Sequence, residues 1–127
     1  GQAGPGIKFR AEDRENFTLM LKEMREQLDA LSDARARRGI DRYTLSIASA
    51  AGKYFEHTEM GKLHVYLDWI NVMAYDMTGS WSKTTGHHTP LYASKFAGQD
   101  APSTESYIKQ HLAAGIPRRK IVVGVAF

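Results

Sequence analysis

The sequence predicts an α/β fold with parallel strands, on three observations. Helical and strand-like patterns follow one another in the order helix, strand, helix, strand, helix, strand, the signature of βαβ units, whose crossovers are right-handed as a rule. The strand-like runs are apolar and partly β-branched, as strands covered on both faces are. At 127 residues the chain is one domain at most, and 43% hydrophobic with 24% charged residues is an ordinary globular balance.

Residues 1–6 are rich in Gly and Pro and predict loop, and Lys8 to Arg14 form a charged approach to the first helix. Phe17, Met20, Leu21, Met24, Leu28 and Leu31 then recur at three- and four-residue steps, the apolar stripe of a long amphipathic helix whose methionines are expected in the core. Asp13 is its expected N-cap. Glu12, Asp13 and Glu15 at the start and Arg35, Arg37 and Arg38 at the finish suit the helix dipole, and Gly39 is expected as the residue that closes it.

Tyr43 to Ala51 reads as the first strand and passes from bulky to small residues toward its carboxyl end. There Ala48, Ser49 and Ala50 either leave room for a ligand or accommodate a close neighbour. Gly52-Lys53-Tyr54-Phe55 turns the chain, its aromatics expected chiefly to pack beneath a helix. Thr58 is the expected cap of a short helix with Met60, Leu63 and Leu67 on one face. His57 and His64 lack the His-x-x-x-His spacing of a helical zinc site, and His87 and His88 stand in a loop with no further ligands at suggestive spacing, so no metal site is predicted.

Asp68 to Asp76 is the stretch around which the chain is organised. Its apolar run ends in a Tyr-Asp pair and a Gly turn, which reads as a buried parallel strand delivering polar side chains to a loop, where α/β folds keep their chemistry. The period of two puts Asn71, Met73 and Tyr75 on one face, with Asp76 where strand gives way to loop. A thioether, a phenol and a carboxylate converge near one rim; the plainer alternative is a core strand with a buried Tyr and a helix-capping Asp. Thr78 to Asp100 is a long polar loop carrying Trp81, Tyr92 and Phe96, and loops of that length inside compact domains are usually functional. Pro102-Ser103-Thr104 begins the last helix, which carries Tyr107, Ile108, Leu112 and Ala113 and is closed by Gly115 and Pro117. Lys120 to Phe127 reads as a third buried parallel strand.

The net charge of +3 is spread over interleaved Lys, Arg, Asp and Glu, without the basic block of a nucleic-acid footprint. There is no Cys for a disulfide, a thiolate metal site or a nucleophile, and no apolar run of about 20 residues to span a membrane. Gly-x-Gly-x-x-Gly and P-loop signatures are missing too.

Trp69 to Asp76, the Gly79-Ser80-Trp81 turn and Thr85-Gly86-His87-His88-Thr89-Pro90-Leu91-Tyr92, taken in this order, closely resemble glycoside hydrolase family 18, the chitinases. The resemblance runs from about Asp13 to Phe127. It implies a (β/α)8 TIM barrel, of which residues 1–127 are a fragment of a single catalytic domain, about the fourth helix to the seventh strand. Such a barrel needs roughly 250 residues. The family's Asp-x-x-Asp-x-Asp-x-Glu strand, whose Glu is the catalytic acid, does not occur in this sequence. Relatives carry Tyr-Pro after that Glu and then a loop resembling Gly1 to Arg10, so the chain is expected to begin just after the acid.

The resemblance implies substrate-assisted retention, in which the sugar's own 2-acetamido oxygen attacks the anomeric carbon. Tyr75 would hydrogen-bond the acetamido carbonyl, and Asp76 would contact the sugar and support the acid. Met73 would shape the pocket around the acetyl methyl, Trp81 would be an aromatic platform, and Ala48 and Ala50 would line the floor. Tyr54 and Phe55 are a further candidate aromatic surface for sugar. The implied partner is chitin or a chito-oligosaccharide, the implied location is outside the cell, and no cofactor is implied. Without the acid the fragment is expected to be inactive, and the unpaired edges of its outer strands predict self-association of the isolated chain. Rival readings are a chitin-binding lectin of the same fold, an enzyme that cuts N-glycans, and a small α/β binding domain.

Overall fold

A computed structural model describes residues 6–98 and 101–126. Three parallel strands, β1 (Ser46–Ser49), β2 (Trp69–Met73) and β3 (Ile121–Gly124), form one sheet in sequence order. Helix α1 (Asp13–Ala34) precedes β1, the short α2 (Met60–Leu63) lies between β1 and β2, and α3 (Thr104–Ala113) between β2 and β3. Ala48 and Val122 flank Asn71 in the register, and Gly124 pairs with Met73. Side chains alternate across a strand, so these residues share one face while Ile47, Ile70 and Ile121 share the other.

The core lies on the isoleucine face. Leu21 of α1, Leu45, Met60 and Leu63 of α2, Leu67, Ile70 and Val72 of β2 and Ile116 are all buried there. Each such side chain contributes about 1.5–3 kcal/mol through the apolar surface it removes from water. Tyr54 and Phe55, in a 3-10 turn at Gly52–His57, pack against the same cluster, as expected for residues beneath a helix.

The two longer helices share one C-terminal closure but build it from different residues. Ser103 caps α3, its hydroxyl accepting from Ser106 N–H while Ser106 Oγ accepts from Ser103 N–H, a reciprocal capping box. At the other end Gly115 takes φ +88°, with Gly115 N–H donating to Leu112 O and Ile116 N–H to His111 O, a Schellman closure. Helix α1 uses the same closure, but Ala36 at φ +51° is its left-handed residue, with Arg37 N–H donating to Ser32 O and Ala36 N–H to Asp33 O. Gly39, the expected closing residue, instead opens a 3-10 turn at Gly39–Asp41.

Other expectations are corrected. Glu12 holds the N-cap position of α1 without a side-chain bond, and Asp13 lies inside the helix, its carboxylate accepting from Arg10 N–H. The closing arginines make no dipole complement in the last turn: Arg35 and Arg37 lie over the Tyr43 ring, and Arg38 pairs with Asp33. Met20, Met24 and Leu31 are exposed, because the wide stripe of α1 meets the core along one line only, through Phe17, Leu21 and Leu28. Thr58 does not cap α2; Glu59 precedes that helix, and the Thr58 hydroxyl donates back to Tyr54 O. β3 is parallel but not buried: among the described residues it has a strand on one side only, and Val122 and Val123 are about half exposed. The expected roles of Gly1 to Pro5, Gln99, Asp100 and Phe127 lie outside the described residues.

Candidate functional site

The carboxyl end of β2 gathers the residues singled out in the sequence. On the face away from the core, Met73 and Tyr75 are half-buried, while Ile70, Val72 and Ala74, at the alternate positions, are buried against the other side. Ala48 stands beside Asn71 in the register and is exposed, and Ala50 lies two residues further along the same edge. Met73, Tyr75, Ala48 and Ala50 are thus brought to one open face. On its other flank Gly124 pairs with Met73, and a Cβ there would meet the Tyr75 ring at 3.2 Å and the Val72 carbonyl oxygen at 2.9 Å. The missing side chain of Gly124 makes the space that the Tyr75 ring occupies, a role the sequence did not signal.

Asp76 turns the chain out of the strand at φ +58°, a left-handed conformation that Asp tolerates better than most residues. Its Oδ1 lies 3.2 Å from His88 Nε2, across a loop that folds back on itself. Met77 N–H donates to His88 O (3.0 Å), and His88 Nδ1 stands 3.3 Å from Thr78 O. Thr78 also abuts Gly86, where a Cβ would meet its hydroxyl oxygen. Trp81 is 66% exposed, with its ring folded over Gly79. The loop is joined to α3 through Thr104 N–H and Glu105 N–H, which donate to Pro90 O and Leu91 O. A cavity of about 870 Å³ opens within the loop, lined by Thr78, Ser82, Thr85, His87 and Phe96 among others.

Behind the strands lies a second polar arrangement. His111 of α3 is fully buried, its Nε2 2.8 Å from Ser49 Oγ and its Nδ1 2.7 Å from Tyr107 O. A carbonyl only accepts, so Nδ1 carries the proton and Nε2 accepts from the Ser49 hydroxyl. Burial pushes the His111 pKa down, and the bond to Tyr107 opposes this in part. Ser49 therefore accommodates a close neighbour on the covered side, while Ala48 and Ala50 leave the open side clear.

Asp68, at the opposite end of β2, accepts from Leu45 N–H (2.7 Å) and from Arg25 (3.0 Å). Arg25 also holds Tyr43 O and Asp29, fastening α1 to the start of β1. Nothing in the local pattern around Asp68 distinguishes it from the second carboxylate of the strand.

Residues 3–127 match the family model for glycosyl hydrolases family 18. Chitinase A1 of Niallia circulans is 38% identical over 96% of this chain, which spans 18% of that relative. Among solved structures, chitinase ChiW of a Paenibacillus species superposes with a TM-score of 0.84 at 43% identity over 95% of this chain and 13% of its own. A family 18 N-acetylglucosaminidase from Paenibacillus barengoltzii gives a TM-score of 0.86 at 39% identity, covering 96% of this chain and 35% of its own.

Proposed function

Because the chain belongs to the glycosyl hydrolases family 18, we propose that it supplies the substrate-orienting side of a chitin-hydrolysing site in a (β/α)8 barrel. In that barrel it runs from about the fourth helix to the seventh strand, and the outer edges of β1 and β3 pair with neighbouring strands. The substrate is a β-1,4-linked N-acetylglucosamine polymer or oligomer, met outside the cell; the ChiW relative is described as cell-surface-expressed.

The reaction begins with protonation of the glycosidic oxygen by a Glu on a strand that this sequence does not contain. As that bond breaks, the 2-acetamido oxygen of the same sugar attacks the anomeric carbon and gives an oxazolinium ion. Water then opens the ring with retention, so no carboxylate nucleophile is required. The protein has to hold the acetamido group in line and stabilise the charge it develops, which lowers the barrier through positioning and preorganised electrostatics. Tyr75 donates to the acetamido carbonyl, and Asp76 contacts the sugar and supports the acid electrostatically. Met73 packs against the acetyl methyl, Ala48 and Ala50 form the floor, and Trp81 offers an aromatic face to the leaving-group sugar.

The observation that carries this reading is the shared open face of Met73 and Tyr75, ending in Asp76, with only small residues at Ala48, Ala50 and Gly124 beside it. The test is turnover of a chromogenic chitobioside. The 127 residues alone are expected to show none, and a longer protein that joins them to the acid-bearing strand to hydrolyse it with retention. Turnover by the 127 residues alone would place the acid within them. Failure of the longer protein to hydrolyse any chito-oligosaccharide would remove the enzymatic reading.

A further inference from the structure

We propose that His88 is a positioning residue for Asp76, an inference that rests on the function proposed above. Asp76 is 62% exposed at its side chain and stands on a left-handed backbone, so neither burial nor helix or sheet geometry restrains its carboxylate. The contact that restrains it comes from His88, 3.2 Å away.

His88 is itself held at the backbone. Its carbonyl accepts from Met77 N–H, the residue that follows Asp76. The loop between Met77 and His88 is therefore closed at its base by the residue that touches the carboxylate. His87, adjacent in sequence, lines the loop cavity instead. Only one of the paired histidines serves Asp76.

The consequence is geometric. A carboxylate that must meet a sugar in one orientation loses rotational freedom before substrate arrives, and misplacement by about 1 Å can reduce a rate about a hundredfold. His88 acts through Asp76 and touches neither the anomeric carbon nor the leaving oxygen.

The experiment uses the protein that carries this chain together with the catalytic acid, assayed on a chromogenic chitobioside. His88→Phe keeps a ring and removes both nitrogens. We expect its kcat to fall about tenfold or more with KM changed by less than about threefold, since orientation and not uniform binding is lost. In an Asp76→Ala background the same substitution is expected to cause no further loss, because residues that act as one unit are not additive. His88→Gln, which restores a donor, recovers part of the rate. Thermal melts of each variant separate these effects from unfolding; should His88→Phe not fold, His88→Gln alone and in the Asp76→Ala background carries the same comparison. Equal losses in both backgrounds would make His88 a loop-holding residue and overturn the proposal, as would an unchanged kcat. An unmutated protein without turnover would overturn the functional reading, and this inference with it.

Discussion

Two carboxylates bracket β2, and their surroundings are opposite. Asp68, at the amino end, accepts from a backbone N–H and a guanidinium that is itself held by Asp29 and Tyr43 O. Asp76, at the carboxyl end, has His88 beside it and is otherwise open. A carboxylate whose lone pairs are taken up by the protein serves the fold, whereas one left exposed at the end of an open, small-residue face has capacity to spare for a ligand. Among the described residues the two non-glycine residues at positive φ divide in the same way: Ala36 closes α1, and Asp76 turns the chain at the candidate site. Strain in the first is a by-product of helix closure; in the second it sets the direction of the carboxylate proposed to meet the sugar.

The sharpest way to break this contrast is Tyr75→Phe. Removing the proposed donor to the acetamido oxygen is expected to lower kcat about a hundredfold, the loss typical of one preorganised donor. Stability, read by urea unfolding, should change by less than about 0.5 kcal/mol, because the ring and its packing beside Gly124 are kept. A near-normal rate would detach the open face from catalysis. Asp68→Ala should do the reverse, destabilising by about 1–3 kcal/mol because Leu45 N–H and Arg25 lose their acceptor, with kcat per folded molecule unchanged.

Glycine substitutions compare the two strained positions. Ala36→Gly relieves the left-handed cost at the price of a freer unfolded chain, a net gain of about 0.5–1 kcal/mol in unfolding experiments, with activity intact. Asp76→Gly should gain less stability, since Asp tolerates the left-handed conformation better than Ala and the His88 contact is lost, and should lose activity; activity retained there would show that the carboxylate is dispensable.

The smallest effect concerns pH. The His111 imidazole, ordinarily titrating near 6.5, is held lower in the folded protein, so the unfolded chain takes up the proton first as pH falls. Its contribution to stability is therefore complete above about pH 6.5 and declines below it until the folded value is passed. Unfolding midpoints measured from pH 7.5 to 5 should show this decline, and His111→Gln should flatten it. An equal slope in both would assign the decline to other groups.

Much of this was legible without coordinates. The stripe of α1, the small residues ending β1, the Gly115 closure and the alternation that puts Met73 and Tyr75 on one face all follow from contacts within a few residues. Periodicity and turn chemistry report such contacts directly. Ala36 escaped because the closure needs a conformation that Gly favours but Ala can be forced to adopt. His88 escaped because adjacent histidines in a polar loop look alike until the loop folds.

What the sequence determined by itself, then, was the kind and order of the elements, the parallel sheet, the family and the face on which the candidate residues lie. Those properties arise from backbone geometry and side-chain type over short spans. Only the tertiary structure decided that Asp68 and not Asp76 is bound to Arg25, that Ser49 turns to His111 while Ala48 stays open, that Gly124 yields its space to Tyr75, and that Met20 and Met24 remain outside the core. Each of these depends on partners brought together from distant parts of the chain, or on none arriving, and no local pattern encodes which.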